Sequence, residues 1–195
     1  PSEVNKKRLP IKEAKLKQLQ KECIHLDDDI RWLVALVSDT VMRLSEAVGL
    51  LVDDLVIDAQ PPYVNLIVHP HRRLKLDSSE RIIPLVGTSL WAAQRIKQTQ
   101  NSQFCFERYC DTDNCNSNSA SAAINKWIKT IAGAEAVIHG FRHGIRDRLR
   151  AVEAPVDMID QLGGWSLRGV GQGYGDDYPL ESLYRWMEKM VLPQS

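Results

Sequence analysis

Three short apolar runs rich in branched side chains interrupt a chain whose other apolar positions recur with a helical period. The runs are residues 55–57, 63–68 and 81–85, and they are separated by Pro61-Pro62 and by the polar residues 76–79. Runs of this length and composition, bounded by turn residues, are typical of β-strands. They predict a small three-stranded antiparallel sheet between two helical regions, which is a mainly α fold of the α+β class.

Apolar residues spaced by three and four positions predict helices on both sides of this sheet. The predicted helices before the sheet cover residues 11–23 and 30–40, followed by a short helix that carries Arg43 and Glu46. Those after the sheet cover residues 88–98, 117–132, 139–150, 155–162 and 179–190. The glycine-rich residues 163–175 are expected to lack regular structure. The apolar stripe of the last helix suits packing against its own domain or against a neighbouring copy.

The 195 residues are enough for one domain with a core of its own. The sequence contains neither an apolar run of membrane-spanning length nor a signal-peptide pattern, so we expect a cytoplasmic protein. Four cysteines are present, three of them at five-residue intervals in a predicted loop. This spacing does not match zinc sites, and we expect reduced thiols and no bound metal.

The balanced net charge hides an uneven distribution. Residues 153–195 hold seven acids and three bases, so residues 1–152 carry four more bases than acids. The densest basic runs are residues 71–75 and 142–150, and a local basic face can bind phosphates on a neutral molecule. A solvated surface is an equally good interpretation of either run. The candidate DNA-binding residues in these runs are Arg72, Arg73, His143 and Arg146.

Polar residues suited to phosphodiester chemistry follow one another along the chain. They are Arg43, Lys75, His139-x-x-Arg142, Trp165 and Tyr174. Cleavage of a phosphodiester needs a nucleophile, cations on the non-bridging oxygens and a proton for the leaving group. Taken singly, each residue has a plain structural explanation. Their joint order is the informative feature.

Five segments together resemble the catalytic domain of one enzyme family. The first two are Met42-Arg-Leu-Ser-Glu46 and Arg81-Ile-Ile-Pro-Leu85. The others are His139-Gly-Phe-Arg-His143, Gly164-Trp-Ser166 and Tyr174. The five segments resemble motifs of the tyrosine recombinases, the phage integrase family. The first two resemble the arginine motif and the strand after the lysine hairpin. The last three resemble the His-x-x-Arg box, the Gly-His box and the tyrosine nucleophile. Tryptophan replaces the commoner histidine of the fourth segment, as it does in some members. The resemblance runs from about residue 10 to the C-terminus.

The resemblance implies a covalent mechanism without metal or ATP. Tyr174 would attack a DNA phosphate, leaving a 3′-phosphotyrosyl bond and a free 5′-hydroxyl. Lys75 would act as the general acid and His139 would assist proton transfer. Such an enzyme is a site-specific recombinase that integrates or excises a mobile element. No cofactor is implied.

The resemblance also implies how the phosphate is held. Arg43, Arg142 and Trp165 would bind the scissile phosphate, and Glu46 would orient the site. The partner would be double-stranded DNA, bound by four copies of the full-length protein, whereas this chain alone would be a monomer. Residues 1–10 would then be the remnant of an interdomain linker and residues 11–195 the catalytic domain, without the DNA-clamping domain that precedes it in the family.

Several alternatives stay open at this point. The spacing from Lys75 to Pro84 is one residue longer than the family pattern, so Arg72 and Arg73 compete for the role of the acid, and Tyr178 competes with Tyr174 as nucleophile. The chain could also be a type IB topoisomerase, which nicks and reseals one duplex, or a non-catalytic DNA-binding module of the same fold. The DNA site and any accessory protein are not readable from the sequence.

Overall fold

A computed structural model describes residues 9–74, 80–165 and 177–193. These residues form eight α-helices, in chain order α1 (Glu13–Leu26), α2 (Asp29–Ser38), α3 (Leu44–Val48), α4 (Gly87–Thr99), α5 (Ser117–Ala132), α6 (His139–Ala151), α7 (Val156–Gly163) and α8 (Leu180–Met190). A 3-10 turn, Val52–Asp54, and three strands lie between α3 and α4. The predicted fold class is confirmed.

The three strands form an antiparallel sheet in the order β1 (Leu55–Val56), β2 (Tyr63–Leu66) and β3 (Arg81–Pro84). Leu55 pairs with Val64, and Val64 pairs with Ile83. Pro84 has no N–H to give to a neighbour, and it is tolerated because β3 is an edge strand. The strand after the lysine-bearing connection therefore lies at the edge of the sheet.

Helix α2 is the centre of the hydrophobic core. Every residue from Trp32 to Ser38 is buried, and α1, α4, α5 and α6 pack around this helix. Its N-terminus is capped by Asp28, whose side chain accepts a hydrogen bond from the backbone N–H of Arg31. Because α2 runs directly into residues 39–43, the core fixes the chain just before the first arginine of the predicted site.

The last helix packs within its own domain. Leu183, Met187 and Met190 are buried in the main core, and α8 lies against α6 and β3. The sequence left open whether this apolar stripe faces its own domain or a neighbouring copy, and in this single chain the buried residues of the stripe contact their own domain.

The expectation of reduced thiols is wrong for two of the four cysteines. Cys110 and Cys115 form a disulfide, whereas Cys23 and Cys105 are free and buried. A tight turn brings the pair together, because the Asp111 carboxylate accepts hydrogen bonds from the backbone N–H groups of Asp113 and Asn114. The two Cα atoms consequently lie 4.2 Å apart. Burial raises the pKa of the two remaining thiols, which are therefore unreactive.

None of the helices in the described part of the chain has both the length and the apolar character needed to cross a membrane. In the same residues, no three His, Cys, Asp or Glu side chains converge as metal ligands.

Candidate active site

Arg43 is fixed at the start of α3 by a carboxylate one turn later. It is the N-cap residue, and its backbone N–H donates to Glu46 Oε2 at 2.8 Å. Its guanidinium Nη1 donates to Glu46 Oε1, also at 2.8 Å. One buried carboxylate thus caps the helix and holds the arginine side chain, which keeps 25% of its surface exposed. Glu46 therefore fixes both the backbone and the side chain of Arg43.

Glu46 is held between two guanidinium groups. Its side chain is 3% exposed, and Arg81 of β3 donates to it through Nη2 at 2.9 Å. Burial alone would raise the pKa of Glu46, but the cations of Arg81 and Arg43 outweigh it and lower the pKa below the ordinary value for a glutamate. The carboxylate is therefore charged at neutral pH and can keep Arg43 in place.

Arg142 is a buried cation, with 7% of its surface exposed. Arg142 lies on the first turn of α6, and its Nη2 donates to the backbone carbonyl of Gly163 at 2.6 Å. Its Nη1 donates to the carbonyl of Val41, just before Arg43. Burial, aided by the neighbouring charge of Arg43, lowers the pKa of Arg142 to about 10. The guanidinium remains protonated at neutral pH, and a bound anion would offset the cost of burying its charge.

Trp165 forms a platform beneath two arginines. Its ring lies 4.4 Å from the guanidinium carbon of Arg142 and 4.9 Å from that of Arg146. The chain reaches this position through a left-handed residue, Gly164, that ends α7, and the backbone N–H of Trp165 bonds back to the carbonyl of Asp160. Trp165 therefore packs its ring against two cations, one of which lines a cleft.

His139 begins α6 at the edge of a cleft of about 280 Å³. Arg43 and Arg142 line the same cleft, which has an apolar floor and a rim that includes Ser117 of α5. The His139 ring meets the His143 ring edge-on, with the centroids 5.0 Å apart. Three of the predicted site residues, from distant parts of the sequence, thus surround one concave surface.

The family model of the phage integrases matches residues 10–179, most of the chain. The chain belongs to the phage integrase family. The mainly helical fold with its small sheet is that of the family's tyrosine recombinase catalytic domain. No curated protein and no solved structure gives a match.

Two predicted catalytic residues of this phage integrase domain, Lys75 and Tyr174, lie outside the described residues. The chain on either side of residues 75–79 is described. On one side His69 and Arg72 pair in a tight turn, and across the gap the Glu80 carboxylate accepts from the backbone N–H of Val68 at 2.9 Å. The connection that carries Lys75 is therefore closed at its base.

Arg72 is built into the interior of the integrase domain. It is 4% exposed, and its guanidinium donates to the carbonyl of Glu46 at 3.0 Å and to the carbonyl of Ile67. A Cβ added to Gly49 would lie 2.5 Å from its side chain, which shows how closely it is enclosed. A contact with DNA or with a leaving group would require these bonds to break. Arg73, the next residue, is exposed.

The two other DNA-binding candidates lie on α6. His143 is exposed, and Arg146 is partly exposed and stacks on Trp165. The Nη2 atom of Arg146 lies 3.8 Å from the carboxylate of Asp160 on α7. Neither residue lines the cleft that holds Arg142, although the His143 ring contacts that of His139 at its side.

Tyr178 is bound to the side of α7. Its hydroxyl donates to the carboxylate of Asp157, at 2.9 and 3.0 Å from the two oxygens, and its backbone N–H donates to Gln161. The hydrogen bond to Asp157 raises the pKa of the Tyr178 phenol. A nucleophile needs the opposite shift, so this integrase tyrosine is placed for anchoring.

Sequence reasoning missed Arg81. The segment Arg81-Ile-Ile-Pro-Leu85 was identified only as a strand, yet its first side chain reaches Glu46. The available signal was the charge itself, because an arginine in a short strand that enters the core is costly to bury unless a partner neutralises it.

Proposed function

We propose that the protein is a site-specific DNA recombinase that cleaves and rejoins strands through a 3′-phosphotyrosyl intermediate, integrating or excising a mobile element. One observation carries this proposal: Arg43, His139 and Arg142 line a single cleft although about a hundred residues separate the first from the others. Two guanidinium groups in one concave site suit the non-bridging oxygens of a phosphodiester. Membership of the phage integrase family supports the same chemistry.

In the proposed cleavage step, Tyr174 Oη attacks phosphorus and the bond to the 5′-oxygen breaks. Arg43 and Arg142 bind the non-bridging oxygens, and the indole N–H of Trp165 donates to the same phosphate. His139 accepts the phenolic proton, and Lys75 donates a proton to the leaving 5′-oxygen. Attack by a 5′-hydroxyl on the phosphotyrosine reverses these steps, so rejoining conserves the energy of the bond. The proposal assigns no part to a metal or to ATP.

The first test uses a pool of nicked duplexes with a randomised central region, since the target site is unknown. Cleavage close to a nick releases a short strand that diffuses away and traps the covalent adduct. The wild-type protein is expected to retain labelled DNA after denaturation, and Tyr174→Phe is expected to retain none. Tyr178→Phe is the matched control, and it should still form the adduct. An adduct that survives Tyr174→Phe would overturn the assignment of the nucleophile.

A second test isolates the general acid. Replacing the bridging 5′-oxygen by sulfur gives a leaving group that needs no protonation, because thiols are far more acidic than alcohols. Lys75→Ala should cleave the oxygen substrate poorly and the sulfur substrate at nearly the wild-type rate. Arg73→Ala should treat both substrates alike. The reverse result would transfer the role to Arg73.

The assembly is also a proposal. We infer four copies on two duplexes for the full-length recombinase, with residues 11–195 as its catalytic domain and residues 1–10 as part of a linker. Strand exchange between two duplexes supports this function. Relaxation of supercoiled plasmid without exchange would favour a type IB topoisomerase activity, and DNA binding without any adduct would favour a non-catalytic module.

A further inference from the structure

Arg81 joins three parts of the site that lie far apart in the sequence. It is the first residue of β3, directly after the connection that carries Lys75. Its Nη1 and Nη2 lie 3.4 and 2.9 Å from the two carboxylate oxygens of Glu46. Its Nε donates to the backbone carbonyl of Leu162, in the last turn of α7, at 2.7 Å. The side chain is 6% exposed.

The end of α7 is shaped to receive this guanidinium. A Cβ added to Gly164 would lie 2.9 Å from Arg81 Nη1, and Gly164 itself has a φ of +59°, which favours glycine. The residue after Gly164 is Trp165, the platform beneath Arg142. Arg81 therefore contacts both the carboxylate that holds Arg43 and the helix end that places Trp165.

We propose that Arg81 is a positioning residue for the cleavage step: its bridge between Glu46 and the end of α7 sets the separation between Arg43 and the Arg142–Trp165 pair, across which the scissile phosphate is held. This inference rests on the proposed recombinase function. A planar fork can serve a carboxylate and a carbonyl at once, whereas an ammonium group offers no such fixed geometry. The residue touches no reacting atom and acts through its neighbours.

Charge makes the role testable, because Glu46 is enclosed by cations. Arg43 and Arg81 bond to its carboxylate, the Arg72 guanidinium bonds to its backbone carbonyl, and Arg142 of α6 interacts with it electrostatically. Burial raises the pKa of Glu46, and Arg81 is the largest influence that lowers it. Without Arg81 the carboxylate should protonate at a higher pH and then release Arg43.

The experiment compares Arg81→Met, Arg81→Lys and the double variant Arg81→Met/Glu46→Gln in the adduct assay between pH 5 and 8. At pH 7.5, Arg81→Met should form the adduct about 10- to 100-fold more slowly, the loss expected for a misplaced binding group, while DNA affinity stays within about twofold. Its rate should fall further than that of wild type as the pH is lowered, because Glu46 protonates in the variant, whereas wild type should lose only the rate that protonation of the proton acceptor His139 removes from every variant. The double variant should lose this additional fall, and Arg81→Lys should recover part of the rate.

Thermal unfolding of each variant separates positioning from folding. Asp39→Asn is the control, since it weakens a buried ion pair outside the cleft. Two results together would overturn the inference. The first is that Arg81→Met and Arg81→Lys lose rate only in proportion to their loss of stability, as Asp39→Asn does. The second is that the pH profile of Arg81→Met is that of wild type. Failure of the proposed function would look different, because the wild-type protein itself would then form no adduct.

Discussion

The burial of the Arg142 charge costs the folded protein stability. Its pKa falls to about 10 because it is buried and because Arg43 lies nearby, while the unfolded chain would have an ordinary arginine pKa. The folded protein therefore binds fewer protons between about pH 10 and the pKa of the unfolded chain. The contribution of Arg142 to stability rises as the pH rises through that window, and it is least favourable below pH 10. An anion in the cleft would remove this cost at neutral pH.

The first prediction follows from that cost. Inorganic phosphate at neutral pH should raise the midpoint of thermal unfolding, by about 2–4 °C for each kcal/mol that binding at the phosphate concentration used adds to the free energy of unfolding. The rise should be larger in wild type than in Arg142→Met, as measured by scanning fluorimetry. Chloride at equal ionic strength is the control. Equal shifts for phosphate and chloride would show that the cleft holds no anion site.

The second prediction concerns the glycine beneath the tryptophan. A Cβ on Gly163 would lie 2.0 Å from the Trp165 ring, so Gly163→Ala must displace it. We expect a loss of about 1–3 kcal/mol in the free energy of unfolding, together with slower adduct formation. Denaturant titration and the adduct assay measure the two effects.

Gly144→Ala is the matched control for this change. It lies within α6, and the nearest atom to an added Cβ is 3.9 Å away. Alanine should therefore stabilise the helix by about 0.5–1 kcal/mol. If both substitutions destabilise the protein equally, the close approach at Gly163 is not what determines the result.

At the scale of the elements, one buried ion pair ties the helices together. Asp39 follows α2, and its carboxylate accepts from Arg148 of α6 at 2.9 Å and from the backbone N–H of Thr88 in α4 at 2.9 Å. Arg148 also donates to the carbonyl of Ser38 and lies 3.4 Å from the carbonyl of Met190 in α8. Four helices therefore depend on one aspartate that is fully enclosed.

The third prediction is that Asp39→Asn lowers the free energy of unfolding by about 3–5 kcal/mol. The asparagine amide must turn its N–H groups toward Arg148 or Thr88, and both of these are donors. Asp27→Asn is the matched control, because its pair with Arg95 is partly exposed and should be worth no more than about 1 kcal/mol. Chemical denaturation of both variants gives the comparison, and similar losses would contradict the central role of Asp39.

The elements themselves follow closely from periodicity, but their ends do not. The strand expected over residues 63–68 ends at Leu66 because the chain turns at 69–72 and Arg72 takes the carbonyl of Ile67. The sequence treats Arg72 and Arg73 as equivalent, yet one is enclosed and the other exposed. The difference in exposure arises because the turn packs the Arg72 side chain against Gly49. Such a contact joins residues that are distant in the sequence, so the sequence alone does not show it.

The site shows the same division. The cleft residues Arg43, His139 and Arg142 were predictable because their order along the chain matches a family motif. The residues that hold these side chains in place were not predictable. Arg81 and the disulfide partner of Cys110 depend on which residues the fold brings together. Three evenly spaced cysteines gave no reason to prefer one pair. Cys110 and Cys115 come together because the Asp111 carboxylate stabilises the turn between them.

For the whole molecule, the neutral net charge is compatible with the proposed phosphate site. Arg43, Arg72, Arg81 and Arg148 are paired with acids or carbonyls of the protein itself. Much of the positive charge therefore maintains the structure, and the exposed surplus that could contact DNA is smaller than the arginine content implies.

The fourth prediction concerns the covalent link between Cys110 and Cys115. A bridge across so short a loop should contribute about 2 kcal/mol to the free energy of unfolding. Reduction should therefore lower the unfolding midpoint modestly without unfolding the domain. Alkylation of the oxidised native protein should modify neither Cys23 nor Cys105, because both are buried, and denaturation should expose two thiols. Four reactive thiols under oxidising conditions would contradict the disulfide.

The closed base of the lysine-bearing connection has a consequence for variation and engineering. The pairing of His69 with Arg72 and the bond from Val68 to Glu80 fix where the two arms of this connection begin. Doubling the length of chain between two fixed points costs only about 0.6 kcal/mol in closure entropy. Residues can therefore be gained or lost beyond that base without altering the strand register. Adding or removing one residue between Lys75 and Pro84 is such a change, and it would vary the reach of the proposed acid while leaving the sheet intact.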